Sequence, residues 1–131
     1  MKYISTRGNA PVLSFEDAML AGLARDGGLY VPETVPRMTS ADIIGMAGLS
    51  YEEIALRVIQ PFVGDSFSEA ELIDSISVAY AGFSHTARAP LVQLGPNHHL
   101  LELFHGPTLA FKDFAMQLIG QLFQRALNRR G

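Results

Sequence analysis

Residues 102–114 read ELFHGPTLAFKDF, and they set a single lysine, Lys112, among leucine, phenylalanine, alanine, glycine and proline. Upstream of it, the apolar run from Leu100 to Phe104 has the composition of a strand buried on both faces. Gly106 and Pro107 form a turn pair, and Thr108 is the natural N-cap of a helix. From Thr108 onward Phe111, Phe114, Ala115, Leu118, Leu122 and Ala126 recur at three and four residues, which predicts a long helix with a broad apolar stripe ending at NRRG. Arg129 and Arg130 suit its last turn and Gly131 its cap. Gly120, in the middle, costs ~1 kcal/mol relative to alanine and so reads as a place of close packing. Strand, glycine-containing turn and helix make the opening half of a βαβ unit, so the fold class is α/β and further parallel strands are needed.

Two readings of Lys112 compete. In the plain one its stem snorkels past apolar neighbours and its ammonium stays in water. Its place within the first turn after Thr108 favours another: the positive end of the helix dipole and partial desolvation by Phe111 and Phe114 both disfavour the charged form. A neutral amine is a nucleophile that condenses with aldehydes, and pyridoxal phosphate is the commonest biological aldehyde held this way.

Moving outward, the segment PLVQLGPNHHLLELF contains two apolar runs around GPNHH and predicts a hairpin. Ser50 with Glu53 and Ser68 with Glu71 are capping boxes that announce helices near 51–60 and 69–82, and a shorter helix over 40–47 precedes them. Ser14 with Asp17 starts another over 15–25. Between them DGGLYVPETVP breaks the pattern, with Gly27 and Gly28 at a turn and a short extended LYVP. The start, MKYISTRG, predicts a first strand with Tyr3 and Ser5 on one face. The chain therefore divides into 1–85, mostly helical with short strands, and 86–131, the start of an α/β domain.

With 131 residues, one domain and part of another is the expected size. A hydrophobic content of 48% against 18% charged residues excludes a disordered chain, and no run approaches the ~18 apolar residues that a membrane span needs. A net charge of −3 with dispersed basic residues argues against nucleic acid. The absence of cysteine removes disulfides and thiolate chemistry, which leaves a cytoplasmic setting as the expectation. His98 and His99 are adjacent, so their rings diverge, and no carboxylate motif accompanies His85 or His105; no metal is expected.

The segment ELFHGPTLAFKD followed by FAMQLIG closely resembles the pyridoxal-lysine segment of the threonine synthase family. YISTRG, SFEDAMLAGLARDGGLYVP and PLVQL resemble that family's N-terminal region in the same order, so the resemblance covers essentially residues 1–131. It implies a tryptophan-synthase-like, fold type II enzyme that uses pyridoxal 5'-phosphate to convert O-phosphohomoserine and water into threonine and phosphate. Lys112 is then the Schiff-base lysine. His105, Thr108 and Asp113 become candidates for contact with cofactor or substrate, although Thr108 is also a cap and Asp113 is favoured by the helix dipole in any case. Arg7, at the end of the first strand, is a candidate for the substrate phosphate, against the plain reading of a solvated charge.

A pyridoxal cofactor's phosphate is normally cradled by a glycine-rich turn, and none comes after Lys112; the twelve glycines are dispersed. The expectation is an N-terminal piece with an incomplete catalytic domain, inactive alone, exposing apolar surface over 83–131, and monomeric or homodimeric in its full form. Rival readings are another pyridoxal phosphate-dependent lyase, such as a dehydratase, and a non-catalytic binding domain.

Overall fold

A computed structural model describes residues 1–131 as two compact units, Met1–Leu72 and Ile73–Gly131. In the first, strand β1 (Lys2–Ser5) is the middle of a three-stranded antiparallel sheet between β2 (Leu13–Ser14) and β3 (Tyr30–Pro32). Tyr3 faces Leu13 on one side and Pro32 on the other, and alternation along β1 buries Tyr3 and Ser5 together, as the pattern predicts. Ser14 closes β2 and caps helix α1 (Phe15–Ala21), its Oγ accepting the Asp17 N–H at 3.1 Å. The helix stops four residues before its expected end because Gly22 takes φ +68° and Leu23 pairs back to Leu29.

Helix α2 (Ser40–Ile44) opens on a further capping box, Thr39 with Asp42. Helix α3 (Tyr51–Val63) opens on the Ser50–Glu53 box and runs beyond 60, with Pro61 inside it. A proline in a last turn forfeits only one bond to the preceding turn, while Val63, fully buried, and Tyr3, whose hydroxyl donates to the Phe62 carbonyl at 3.0 Å, hold that turn in place. Phe15 meets Tyr3 and Phe67 edge-on at 5.8 and 6.3 Å, and this aromatic row is the heart of the unit.

Helix α4 (Glu69–Tyr80) starts from the Ser68–Glu71 box and lends its later residues to the second unit. There β4 (Leu91–Gly95) and β5 (His98–Leu101) form the expected hairpin, with an irregularity between Gln93 and Gly95. Helix α5 (Asp113–Arg130) buries Leu118, Leu122 and Ala126 on the predicted stripe. It is fastened to α4 near both ends: the Tyr80 hydroxyl donates to the Phe114 carbonyl at 2.7 Å, and Arg125 donates to Ser75 Oγ at 2.7 Å and pairs with Asp74.

Three expectations fail in this unit. α5 begins at Asp113 instead of Thr108, because Leu109 adopts φ +61° and residues 106–112 form a chain of turns. Leu100, Leu101 and Phe104 are about half exposed, since nothing in residues 1–131 covers the hairpin's apolar side chains. Gly120 is exposed with no atom within 4 Å of a hypothetical Cβ, so no close packing explains it.

Candidate active site

Lys112, one of only two lysines in the chain, occupies the N-cap position of α5 with helical φ and ψ of −61° and −20°. It is exposed, and Phe111 beside it is 66% exposed, so the shielding expected from Phe111 is not supplied by these residues. Phe114 turns the other way, against Phe83 at 5.0 Å and Tyr80 at 6.4 Å. The first amides of α5 are satisfied by the turn before it: Asp113 N–H donates to Ala110, Phe114 to Phe111, and both Ala115 and Met116 to Lys112. No array of unpaired N–H groups is therefore aimed at an anion from this helix end.

Asp113 and Thr108 do come together. Asp113 is 3% exposed; its Oδ2 accepts the Thr108 N–H at 2.9 Å and its Oδ1 accepts the Thr108 hydroxyl at 2.8 Å, with Gln117 Nε2 at 3.4 Å. Thr108 thus donates to a carboxylate instead of acting as the cap acceptor that the sequence predicts. Burial pushes the Asp113 carboxyl up, but the Thr108 hydroxyl and amide, then Gln117, outweigh it and leave it below its usual range. Gly106 is required here, since a Cβ at that position would run into the Asp113 side chain.

His105 sits at the mouth of the same loop. Its Nε2 lies 2.6 Å from Glu102 Oε2, its carbonyl accepts the Ser84 N–H at 2.9 Å, and its ring lies 4.8 Å from that of Phe104 and 5.1 Å from that of His85. Glu102, three residues before His105 in sequence, could have been paired with it by spacing; Ser84, twenty-one residues away, could not.

In the first unit, Arg7 is exposed and its Nη1 donates to the Asp26 carbonyl at 3.1 Å, across the Gly27 backbone. Asp26, absent from the candidates drawn from sequence, is the hub: its carboxylate accepts from Ser5 Oγ at 2.7 and 2.8 Å and from the amides of Asn9 and Gly28, both at 2.9 Å. The Gly28 amide, then the Ser5 hydroxyl, hold the Asp26 carboxyl below its usual range. Gly27 has the positive φ that the turn requires, +78°, while Gly28 is needed for space, because a Cβ there would press on Ser5, Asp26 and Thr6. The only local signal for this hub is an aspartate before a glycine pair.

The family model described as threonine synthase N terminus matches residues 2–80. A threonine synthase of Pseudomonas aeruginosa is 56% identical over the whole chain, and one of Schizosaccharomyces pombe is 42% identical over 99% of it. Among solved structures, a pyridoxal phosphate-bound threonine synthase from Brucella melitensis superposes on all of the chain with a TM-score of 0.97 at 53% identity. The yeast enzyme superposes on 98% with a TM-score of 0.91 at 40% identity. The chain spans 28% of the Pseudomonas and Brucella proteins and about a quarter of the others.

Proposed function

The chain belongs to the threonine synthase N-terminal family, and from that premise we propose that it is the N-terminal part of an enzyme converting O-phosphohomoserine and water into L-threonine and phosphate. The observation that carries the reading is Lys112: an exposed primary amine at the head of an 18-residue helix, presented by a loop built from Gly106, Thr108 and Asp113. The fold that presents it superposes over its whole length on a relative that holds pyridoxal phosphate. In this reading residues 1–85 are the N-terminal region, and 86–131 open the cofactor-binding domain. A cytoplasmic enzyme, monomeric or homodimeric, goes with it.

The residues fit one of the cofactor's two handles. An accessible amine suits the aldehyde carbon. The head of α5 does not cradle the phosphate, because its amides already bond to the turn before it. When bound, the cofactor ring supplies the electron sink that the chemistry at the substrate's α and β carbons needs. Lys112 would hold the aldehyde carbon, and the same amine would serve as the base and acid that moves protons at the substrate's α and β carbons.

Arg7 is the candidate for the substrate's phosphate: one guanidinium nitrogen is fixed on the Asp26 carbonyl, which orients the fork and leaves its other N–H groups for an anion. His105, with Nε2 on Glu102 and Nδ1 3.4 Å from Ser84 Oγ, is the candidate for contact with cofactor or substrate. The test is phosphate release from O-phosphohomoserine by the full-length enzyme, measured beside deamination of threonine. Phosphate release in step with threonine formation is expected. Deamination without phosphate release would identify a dehydratase, and failure to take up cofactor a binding domain.

A further inference from the structure

We propose that Asp113 is a positioning residue for Lys112: its carboxylate fixes the 106–112 loop, and thereby the direction in which the lysine leaves the head of α5, without itself touching cofactor or substrate. The inference rests on the reading of Lys112 as the covalent anchor.

The side chains at 112 and 113 are neighbours in sequence with opposite surroundings. Asp113 is 3% exposed and both of its carboxylate oxygens are engaged, whereas Lys112 is exposed. Successive side chains on a helix lie about 100° apart, so anchoring Asp113 inward fixes Lys112 outward. The clamp also explains a strained residue. Leu109 holds φ +61° while 72% exposed, so its own side chain gains nothing from packing there. On either side of it, Thr108 is bound twice by Asp113, and the Leu109 N–H donates to the Gly106 carbonyl at 3.1 Å. Gly106 in turn has no Cβ because the Asp113 side chain occupies that space. Gly106, Thr108 and Asp113 are therefore one device, and its product is the position of residue 112.

At 3% exposure, with both oxygens turned onto Thr108, the carboxylate presents no open face to a ligand. An effect of Asp113 on the reaction must then run through the loop. Displacing a reacting group by even about 1 Å can cost on the order of 100-fold in rate.

The experiment compares the full-length wild-type enzyme with Asp113→Asn, Thr108→Val and Thr108→Ser. In the cofactor-free protein, hydrogen exchange at the Thr108 and Leu109 amides should quicken at least about tenfold in Asp113→Asn. The rate at which added pyridoxal phosphate becomes trapped on Lys112 by borohydride should fall in the same variant. In the loaded enzyme kcat should drop roughly 100-fold with KM within about threefold of wild type, as expected for a misplaced reacting group. Thr108→Val should share these changes, and Thr108→Ser, which keeps the donor, should lie much closer to wild type. If Asp113→Asn does not fold, the two Thr108 variants decide by the same readouts. Faster exchange with unchanged trapping and kcat overturns the proposal. So does weaker cofactor binding with unaltered exchange, which means direct contact. Trapping of wild-type enzyme at a lysine other than 112 sinks the anchor reading itself, and is seen before any variant is compared.

Discussion

Replacing Tyr80 by phenylalanine isolates one of the contacts that hold the head of α5. Tyr80 is 3% exposed, its hydroxyl donates to the Phe114 carbonyl at 2.7 Å, and its ring packs edge-on to Phe83 at 5.2 Å. The substitution keeps the ring and both aromatic contacts and deletes one neutral hydrogen bond, for which a net loss of about 1 kcal/mol is the usual size. The Phe114 carbonyl retains the helix amide one turn on, so no buried acceptor is orphaned and the loss stays near that figure. A loss of about 1 kcal/mol corresponds to about a fivefold change in an opening equilibrium at 25 °C. Hydrogen exchange in the full-length protein should therefore quicken about fivefold over the first turns of α5, from Ala115 to Leu118, and remain unchanged in its last turn. The last turns lie near a separate fastening, Arg125 on Ser75 and Asp74. An unchanged first turn, or an equal increase along the whole helix, would refute the view that Tyr80 secures the segment bearing Lys112.

Three further outcomes are set by local geometry. Ser50→Ala removes the cap of α3, in which Ser50 Oγ accepts the Glu53 N–H at 3.2 Å, and should lower stability by about 1 kcal/mol in a denaturant titration. Gly28→Ala and Gly8→Ala should differ: Gly8 has open space but φ +74°, costing about 1 kcal/mol, whereas an added Cβ at Gly28 crowds Ser5, Asp26 and Thr6 and should cost roughly 2 to 3 kcal/mol. Thermal melts rank the pair. Asp26 and Asp113 both have carboxyl groups held below the usual 3.8, so the stability they contribute is complete above that value and is lost as pH falls through their lower folded values. Melting temperatures should fall below about pH 4, less steeply in Asp113→Asn, and a stability that rises on acidification would contradict the assignment.

The features legible in the sequence are those whose partners lie three or four residues apart. Ser14, Ser50 and Ser68 each announce a helix start because the cap oxygen and the amide that donates to it lie three residues apart, and Tyr3 with Ser5 declares a buried strand face by period alone. Helix ends are less legible. Gly22 stops α1 early through a backbone angle, and Pro61 is tolerated where a proline usually signals an end. The head of α5 is hidden for a similar reason, since the positive φ of Leu109 has no signature in a leucine.

Hydrophobicity also misleads at Leu100, Leu101, Phe104 and Phe111, which are exposed because apolar character records what a side chain requires and not which residues supply it. In the candidate site, Lys112 is conspicuous as a charge among aromatics. Asp26 is not, because its partner Ser5 lies twenty-one residues away and only the folded sheet brings the two together. The tie between Thr108 and Asp113 spans five residues, close enough to be visible in principle, but a threonine before an apolar stripe reads first as a cap.

Everything proposed for the active site turns on which amine receives the cofactor. Full-length protein loaded with pyridoxal phosphate, reduced with borohydride and digested should yield the pyridoxyl group on the peptide containing residues 102–114, attached at Lys112, and a Lys112→Ala protein should yield none there. Stoichiometric label on another lysine, with residue 112 unmodified, would contradict it.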